Sequence, residues 1–200
     1  NKYVVVVNEF DYEDGVDGGC DNLGFPGVSI YDISSGIDKA VLVKDMKISH
    51  TGSNGNLAEP EGVKIAPNGT MVYMTLQESN ELGWFSINNP PDILEDKVTF
   101  TNPEHEPDGI WVNSDGSLIC TAGEYDGTIG VHQLDSSGKP SSQSYIRMAD
   151  DLPSNWDWDD KRKGIEPEEV VIAEAGGKVF VLTTLQDAGA VVVYDITDPN

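Results

Sequence analysis

The sequence predicts an all-β fold: a β-propeller of four-stranded antiparallel blades, present here as an arc of a larger ring. Three observations carry that expectation. One phrase recurs as Glu59-Pro60-Glu61-Gly62-Val63, Glu106-Pro107-Asp108-Gly109-Ile110 and Glu166-Pro167-Glu168-Glu169-Val170. Each copy leads into a β-type run, a Gly turn and a second β-type run, and the copies lie 47 and 60 residues apart, near the roughly 40–50 residues of a four-stranded blade. No amphipathic window of helix length interrupts the pattern.

Taken in order, residues 1–50 form a partial blade, with runs 3–8 and 28–33 matching second and third strands and no inner strand. Residues 59–101 form a full blade: 62–66 as the inner strand, Asn68-Gly69 as a turn, then 71–76, 82–87 and an outer strand over 98–101. Residues 106–148 repeat it with 109–112, the Asp115-Gly116 turn, 118–122, 128–134 and 144–148. The insertion 150–164 accounts for the longer spacing before the last partial blade, 166–200, with strands 170–173, 179–184 and 190–196 around Gly176-Gly177. Asn-Gly and Asp-Gly are strong hairpin signals because both central positions of a type I′ turn need positive φ. The whole of 1–200 is therefore one propeller segment, whose apolar end faces call for further blades of the same protein or other chains as partners.

Composition narrows the function. With 38% apolar residues the chain can bury a substantial core. Twelve basic residues against 35 acidic ones give a net charge of -23, a field that repels nucleic-acid phosphates and anionic lipid and attracts cations. The same acidity also serves plain solubility. The two cysteines, Cys20 and Cys120, lack zinc-site spacing. A disulfide between them is compatible with a secreted protein, and two free thiols are the alternative. No run approaches the length of a membrane span. The opening Asn1-Lys2-Tyr3-Val4 is no signal peptide, and the missing initiator Met suggests a processed or trimmed segment.

Candidate sites follow from the repeat. Inner strands line a propeller's channel, so residues just before them gather at one mouth. That brings Glu59, Glu61, Glu106, Asp108, Glu166 and Glu168 toward one axis, with Glu9, Glu78, Glu124 and Gln186 as a second set at the ends of the second strands. Convergent carboxylates stay ionised together only when a cation bridges them, and calcium suits such oxygen-rich sites. The competing reading is that Glu-Pro makes a rigid turn into each blade. Asp11, Glu13, Asp14, Asp17 and Asp21, broken by Gly15, Gly18 and Gly19, form a second candidate calcium loop or a solvated insertion. Asn155, Asp157, Asp159 and Glu166 match EF-hand ligand spacing, but Asp160 replaces the required Gly and Pro167 spoils the following helix, so a blade connection is the simpler reading. Asn68-Gly69-Thr70 is an N-glycosylation sequon on a turn. No nucleophile elbow, Walker loop or His-Glu-x-x-His occurs, and His50, His105 and His132 are scattered, with His105 read as a surface-loop residue.

The phrases Val7-Asn8-Glu9-Phe10-Asp11, Glu166-Pro167-Glu168, Thr184-Leu185-Gln186 and 191–199 resemble the choice-of-anchor I family of secreted or surface-attached propellers, which includes the mesenchyme-specific cell-surface glycoproteins. Phe10 stands where that family has Gly, and Glu169 where the third phrase is expected to have Gly. The resemblance implies an extracellular, non-enzymatic structural or adhesive glycoprotein of the cell surface or matrix; with the repeat and the net charge, its acidic faces are expected to bind calcium or a cationic partner, with Glu9, Asp11 and the Glu-Pro carboxylates as candidate ligands. The alternative is a calcium-dependent phosphoesterase of the phytase type, for which Lys161, Arg162 and Lys163 are the single basic cluster.

Overall fold

The computed structural model describes residues 2–8, 26–48, 58–153 and 165–198. Among the described residues, fifteen strands make up four sheets, and the only helical pieces are two single 3-10 turns, Ile37–Lys39 and Met148–Asp150. The propeller expectation is borne out. The first sheet contains β1 (Tyr3–Asn8), β2 (Gly27–Asp32), β3 (Val41–Ile48) and β7 (Ile93–Leu94). The second runs β4 (Pro60–Ile65), β5 (Met71–Leu76), β6 (Glu81–Ser86), β8 (Lys97–Thr99). The third is β9 (Pro107–Val112), β10 (Leu118–Gly123), β11 (Thr128–Leu134), β12 (Pro140–Arg147), and the fourth β13 (Pro167–Ala175), β14 (Lys178–Leu185), β15 (Ala190–Asp195).

Strand periodicity explains why blades stack. Successive side chains point to opposite faces, so Val72, Met74 and Leu76 of β5 join Val28, Ile30, Met46 and Ile48 in one core, while Tyr73 joins Ile110, Val112 and Ile119 in the next. A third core unites Cys120, Ala122, Ile129 and Val131 with Val170, Ile172, Val181 and Leu185. Both faces of an internal blade are thus buried, and each fully buried aliphatic side chain contributes about 1.5–3 kcal/mol.

Two strands fall outside the sequence reading. β3 was hidden because Lys44, Asp45 and Lys47 break up its apolar run, although Met46 and Ile48 reach the core. β7 pairs parallel with β3, Lys47 opposite Ile93 and Ile48 opposite Leu94, so a segment between β6 and β8 crosses back to the preceding blade. The Lys44–Asp92 ion pair and an Asp92 carbonyl accepting from Lys47 N at 3.1 Å fasten it there. The outer strands also begin earlier than expected, at Lys97 and Pro140.

Candidate functional site

The Glu-Pro phrase builds the same device three times. In each copy the inner strand advances three residues while its partner advances two: Pro60 to Val63 against Leu76 to Met74, Pro107 to Ile110 against Gly123 to Thr121, Pro167 to Val170 against Leu185 to Thr183. This is a β-bulge, which re-aims the side chains at the strand's start. The glutamate before each proline accepts a backbone hydrogen bond from the residue that immediately follows the second strand. Gln77 N reaches Glu59 O at 2.7 Å, Glu124 N reaches Glu106 O at 3.2 Å, and Gln186 N reaches Glu166 O at 2.9 Å. Gln77 is therefore the counterpart of Glu124 and Gln186, one position away from the Glu78 that the sequence alignment selected. Glu106 and Glu166 take φ of 43° and 48°, a left-handed conformation uncommon for side chains of this type.

Neighbouring bulges press together. A Cβ on Gly62 would lie 2.7 Å from Asp108 O, and one on Gly109 would lie 2.4 Å from Glu168 O. Thr75 completes the first junction by donating from Oγ1 to Asp108 O at 2.5 Å while accepting from Gly62 N at 2.7 Å. At the matching position Glu169 is exposed, and among the described residues no further inner strand packs over it. The Gly-to-Glu change in the third phrase falls at the one of the three bulges over which no inner strand is seen among the described residues.

This stacking brings Asp108 to Glu168. Burial pushes the Asp108 carboxyl up to about 8, helped by a side-chain hydrogen bond with Glu168 and by the charges of Glu168, Glu61 and Glu169. Asp108 therefore favours its protonated form near neutral pH, which eases the like-charge contact with Glu168. Beside the pair, Gln77 Nε2 donates to Glu124 Oε2, and Gln186 Nε2 donates to Glu166 Oε2 at 3.0 Å. Further along the inner strands Lys64 Nζ sits 3.9 Å from the centroid of the Trp111 ring. Lys64 and Trp111 each follow the apolar residue that ends the phrase, so superposing the repeats reveals them as neighbours.

Of the residues expected to bind metal, Glu61, Asp108 and Glu168 do approach one another from three blades. Among the described residues, however, no group of three or more His, Cys, Asp or Glu side chains is arranged to hold a metal ion. Glu9, Asp11 and the rest of the acidic loop through Asp21 lie outside the described residues, as do Cys20, His50, Asn155, Asp157, Asp159 and the 161–163 basic cluster. Cys120 is a free thiol buried in the core, with burial pushing it up to about 12. Asn68 is exposed at the opposite end of the blade, where its Oδ1 accepts from Thr70 N and Oγ1 beside a groove of about 440 Å³ lined in part by Tyr73, Asp115 and Asp135.

His105 is no surface residue. It is fully buried, with Nδ1 3.0 Å from Thr128 Oγ1, Nε2 2.9 Å from Thr121 Oγ1 and Asp126 at 3.5 Å. Those partners lie 16–23 residues away in sequence, which is why the acidic local context Glu104-His105-Glu106 misleads. The cluster holds the third blade together. His132 lies in the same core with neither ring nitrogen hydrogen-bonded, and burial followed by the nearby His105 pushes it down to about 3.

No family model matches the chain. A 6-phosphogluconolactonase of Serratia proteamaculans is 27% identical over 140 residues, covering 70% of this chain and 38% of that protein. Among solved structures, a candidate 6-phosphogluconolactonase from Bacteroides fragilis superposes with a TM-score of 0.55 at 14% identity, and the periplasmic gluconolactonase PpgL of Pseudomonas aeruginosa with 0.54 at 12%. Each of those alignments covers 96% of this chain and 53% of the solved one. At such identities the structures establish the propeller fold, and the chain spans about half their length or less.

These matches overturn the resemblance to choice-of-anchor I and mesenchyme-specific glycoprotein propellers. Of the phrases that carried it, Glu166-Pro167-Glu168 encodes a β-bulge, which unrelated propellers can share. With it falls the expected role as a secreted structural or adhesive glycoprotein of the extracellular matrix, and the phosphoesterase alternative gains no support from any of these relatives. No helix among the described residues is long and apolar enough to cross a membrane.

Proposed function

We propose that the chain forms part of a lactone hydrolase of the 6-phosphogluconolactonase or gluconolactonase kind. The observation that carries this reading is the 27% identity to the Serratia lactonase over most of the chain, and the Asp108–Glu168 pair at the channel mouth supplies chemistry suited to it. Lactone opening needs a base to take a proton from water and an acid to protonate the departing ring oxygen. Glu168 accepts the water proton as the oxygen attacks the carbonyl carbon. When the ring C–O bond breaks, Asp108 gives its proton to the alkoxide, and the hydrogen bond between the two carboxyls returns the proton from Glu168 to Asp108. One water is consumed and one hydroxy acid leaves.

The test is lactone consumption by the purified protein, followed by hydroxylamine trapping and corrected for the uncatalysed rate. Asp108→Asn and Glu168→Gln should each lower kcat by about 10²–10⁴-fold. No rate above the uncatalysed one overturns the lactonase reading, and unchanged kcat in both variants overturns the assignment of the pair.

A further inference from the structure

We infer that Asn80 is a positioning residue for Asp108, fixing from the neighbouring blade the segment that presents this carboxyl to Glu168; its bearing on catalysis rests on the lactonase reading above. In the second, third and fourth blades the turn into the third strand ends on a left-handed residue: Asn80 with φ of 52°, Gly127 with 65° and Gly189 with 56°. Glycine meets that backbone demand at no steric cost, and asparagine is among the few residues with a side chain that adopt it readily. The second blade therefore departs from glycine with a residue that keeps the turn and adds an amide.

Asn80 grips the connection into the third blade at three points. Its carbonyl accepts from Phe100 N at 3.0 Å, its Nδ2 donates to Asn102 O at 2.9 Å, and its Oδ1 accepts from Glu106 N at 3.2 Å. Glu106 is the left-handed residue that leads into the bulge, and Pro107, whose ring fixes φ, is all that separates it from Asp108. Beyond that proline, Thr75 of the same second blade donates to Asp108 O. The second blade thus holds Glu106-Pro107-Asp108 at both ends while the fourth supplies Glu168. Glu166 takes a similar φ of 48° although Gly127, at the corresponding turn, has no side chain, so the amide is not a requirement of the bulge itself. It is an addition at the copy that carries Asp108. Misplacing a reacting group by about 1 Å costs up to about 10²-fold in rate.

The test is Asn80→Gly, which removes both side-chain bonds and keeps the left-handed turn that glycine occupies in the next two blades. Carbon NMR reads the titration midpoint of the Asp108 carboxyl, its signal identified by loss in Asp108→Asn, and kcat and KM are measured on glucono-δ-lactone. A loosened Asp108 is better hydrated and farther from Glu168, so its midpoint should fall by at least about half a pH unit toward the ordinary carboxylate range. In the same variant kcat should fall by about 10–10²-fold with KM within about threefold. Tyr73→Phe, which loses one hydrogen bond at the opposite end of the blade, controls for stability: it should lower Tm without moving the midpoint or kcat. An Asp108 midpoint that stays or rises in Asn80→Gly overturns the inference, whatever its Tm. A fallen midpoint with unchanged kcat upholds the positioning role and overturns Asp108 as the acid. If the parent hydrolyses no lactone above the uncatalysed rate, the lactonase reading fails, and the midpoint alone decides whether Asn80 positions Asp108.

Discussion

Replacing Gly109 by alanine tests the stacking of bulges directly. The added Cβ would sit 2.4 Å from Glu168 O, 2.8 Å from Glu169 Cα and 3.0 Å from Val170 N. All three are backbone atoms, so no flexible side chain can swing aside. Gly109 is not among the residues with positive φ, so alanine meets no intrinsic backbone penalty and even restricts the unfolded chain, a gain of about 0.4–1 kcal/mol. Overpacking costs about 1–3 kcal/mol, and contact with backbone puts this site at the upper end. The net loss is about 2 kcal/mol, which in a domain of this size lowers Tm by about 4–8 °C. Differential scanning calorimetry of Gly109→Ala beside Glu169→Ala measures it, since the second substitution occupies the same bulge position on an exposed residue and should change stability by no more than about 0.5 kcal/mol. A Gly109→Ala protein melting at or above the parent temperature refutes the stacked-bulge account.

Other expectations follow from single contacts. Thr75→Val strands the Gly62 N–H and the Asp108 carbonyl and should cost about 1–3 kcal/mol in urea unfolding. Asp108 has a folded-state value near 8 against an unfolded one of 3.8, so its contribution to stability is fully present below about pH 4 and is lost as pH rises toward 8. Asp108→Asn should flatten that part of the stability profile and melt higher than the parent at pH 8. His132 has the opposite sense: neutral and depressed to about 3 in the fold against 6.5 unfolded, it withdraws stability as pH falls below about 6.5. His132→Leu, which removes two unpartnered buried nitrogens, should raise urea stability by about 1 kcal/mol at pH 7 and hold it better at pH 5. Tyr73→Phe forfeits the 2.7 Å bond to Gly138 O and should lower Tm by about 2–4 °C.

The propeller was legible because its signals are local and repeated. Asn68-Gly69 and Asp115-Gly116 announce their hairpins, and Gly69 and Gly116 do adopt φ of 72° and 74°. What escaped depends on residues distant in sequence. Nothing near Ile93 and Leu94 says that two residues will pair with β3, some 45 positions earlier. His105 looks hydrophilic until Thr121 and Thr128 close around it. The acidic phrases placed Asp108 and Glu168 at one end of neighbouring blades, yet the raised Asp108 carboxyl depends first on its burial and then on Glu168 from the next blade, neither of which local sequence shows. The similarity to lactonases was not legible, because the Glu-Pro and Asn-Gly or Asp-Gly words that stand out in the chain encode bulges and turns, and such words report architecture.

The crossing of β7 onto the first sheet bears on how the arc comes apart. In a simple stack of repeats each unit can fray independently, with stability lost one interface at a time. Here the second blade sends a tether over its neighbour, pinned by Leu94 in their shared core and by Asp92 outside it. Peeling away the first blade requires rupturing a link that belongs to the second, so the two should open as one cooperative unit. In native-state hydrogen exchange, amides of β2 and β6 would then report a common opening free energy, whereas β15, whose outer edge carries no pairing strand among the described residues, would exchange first.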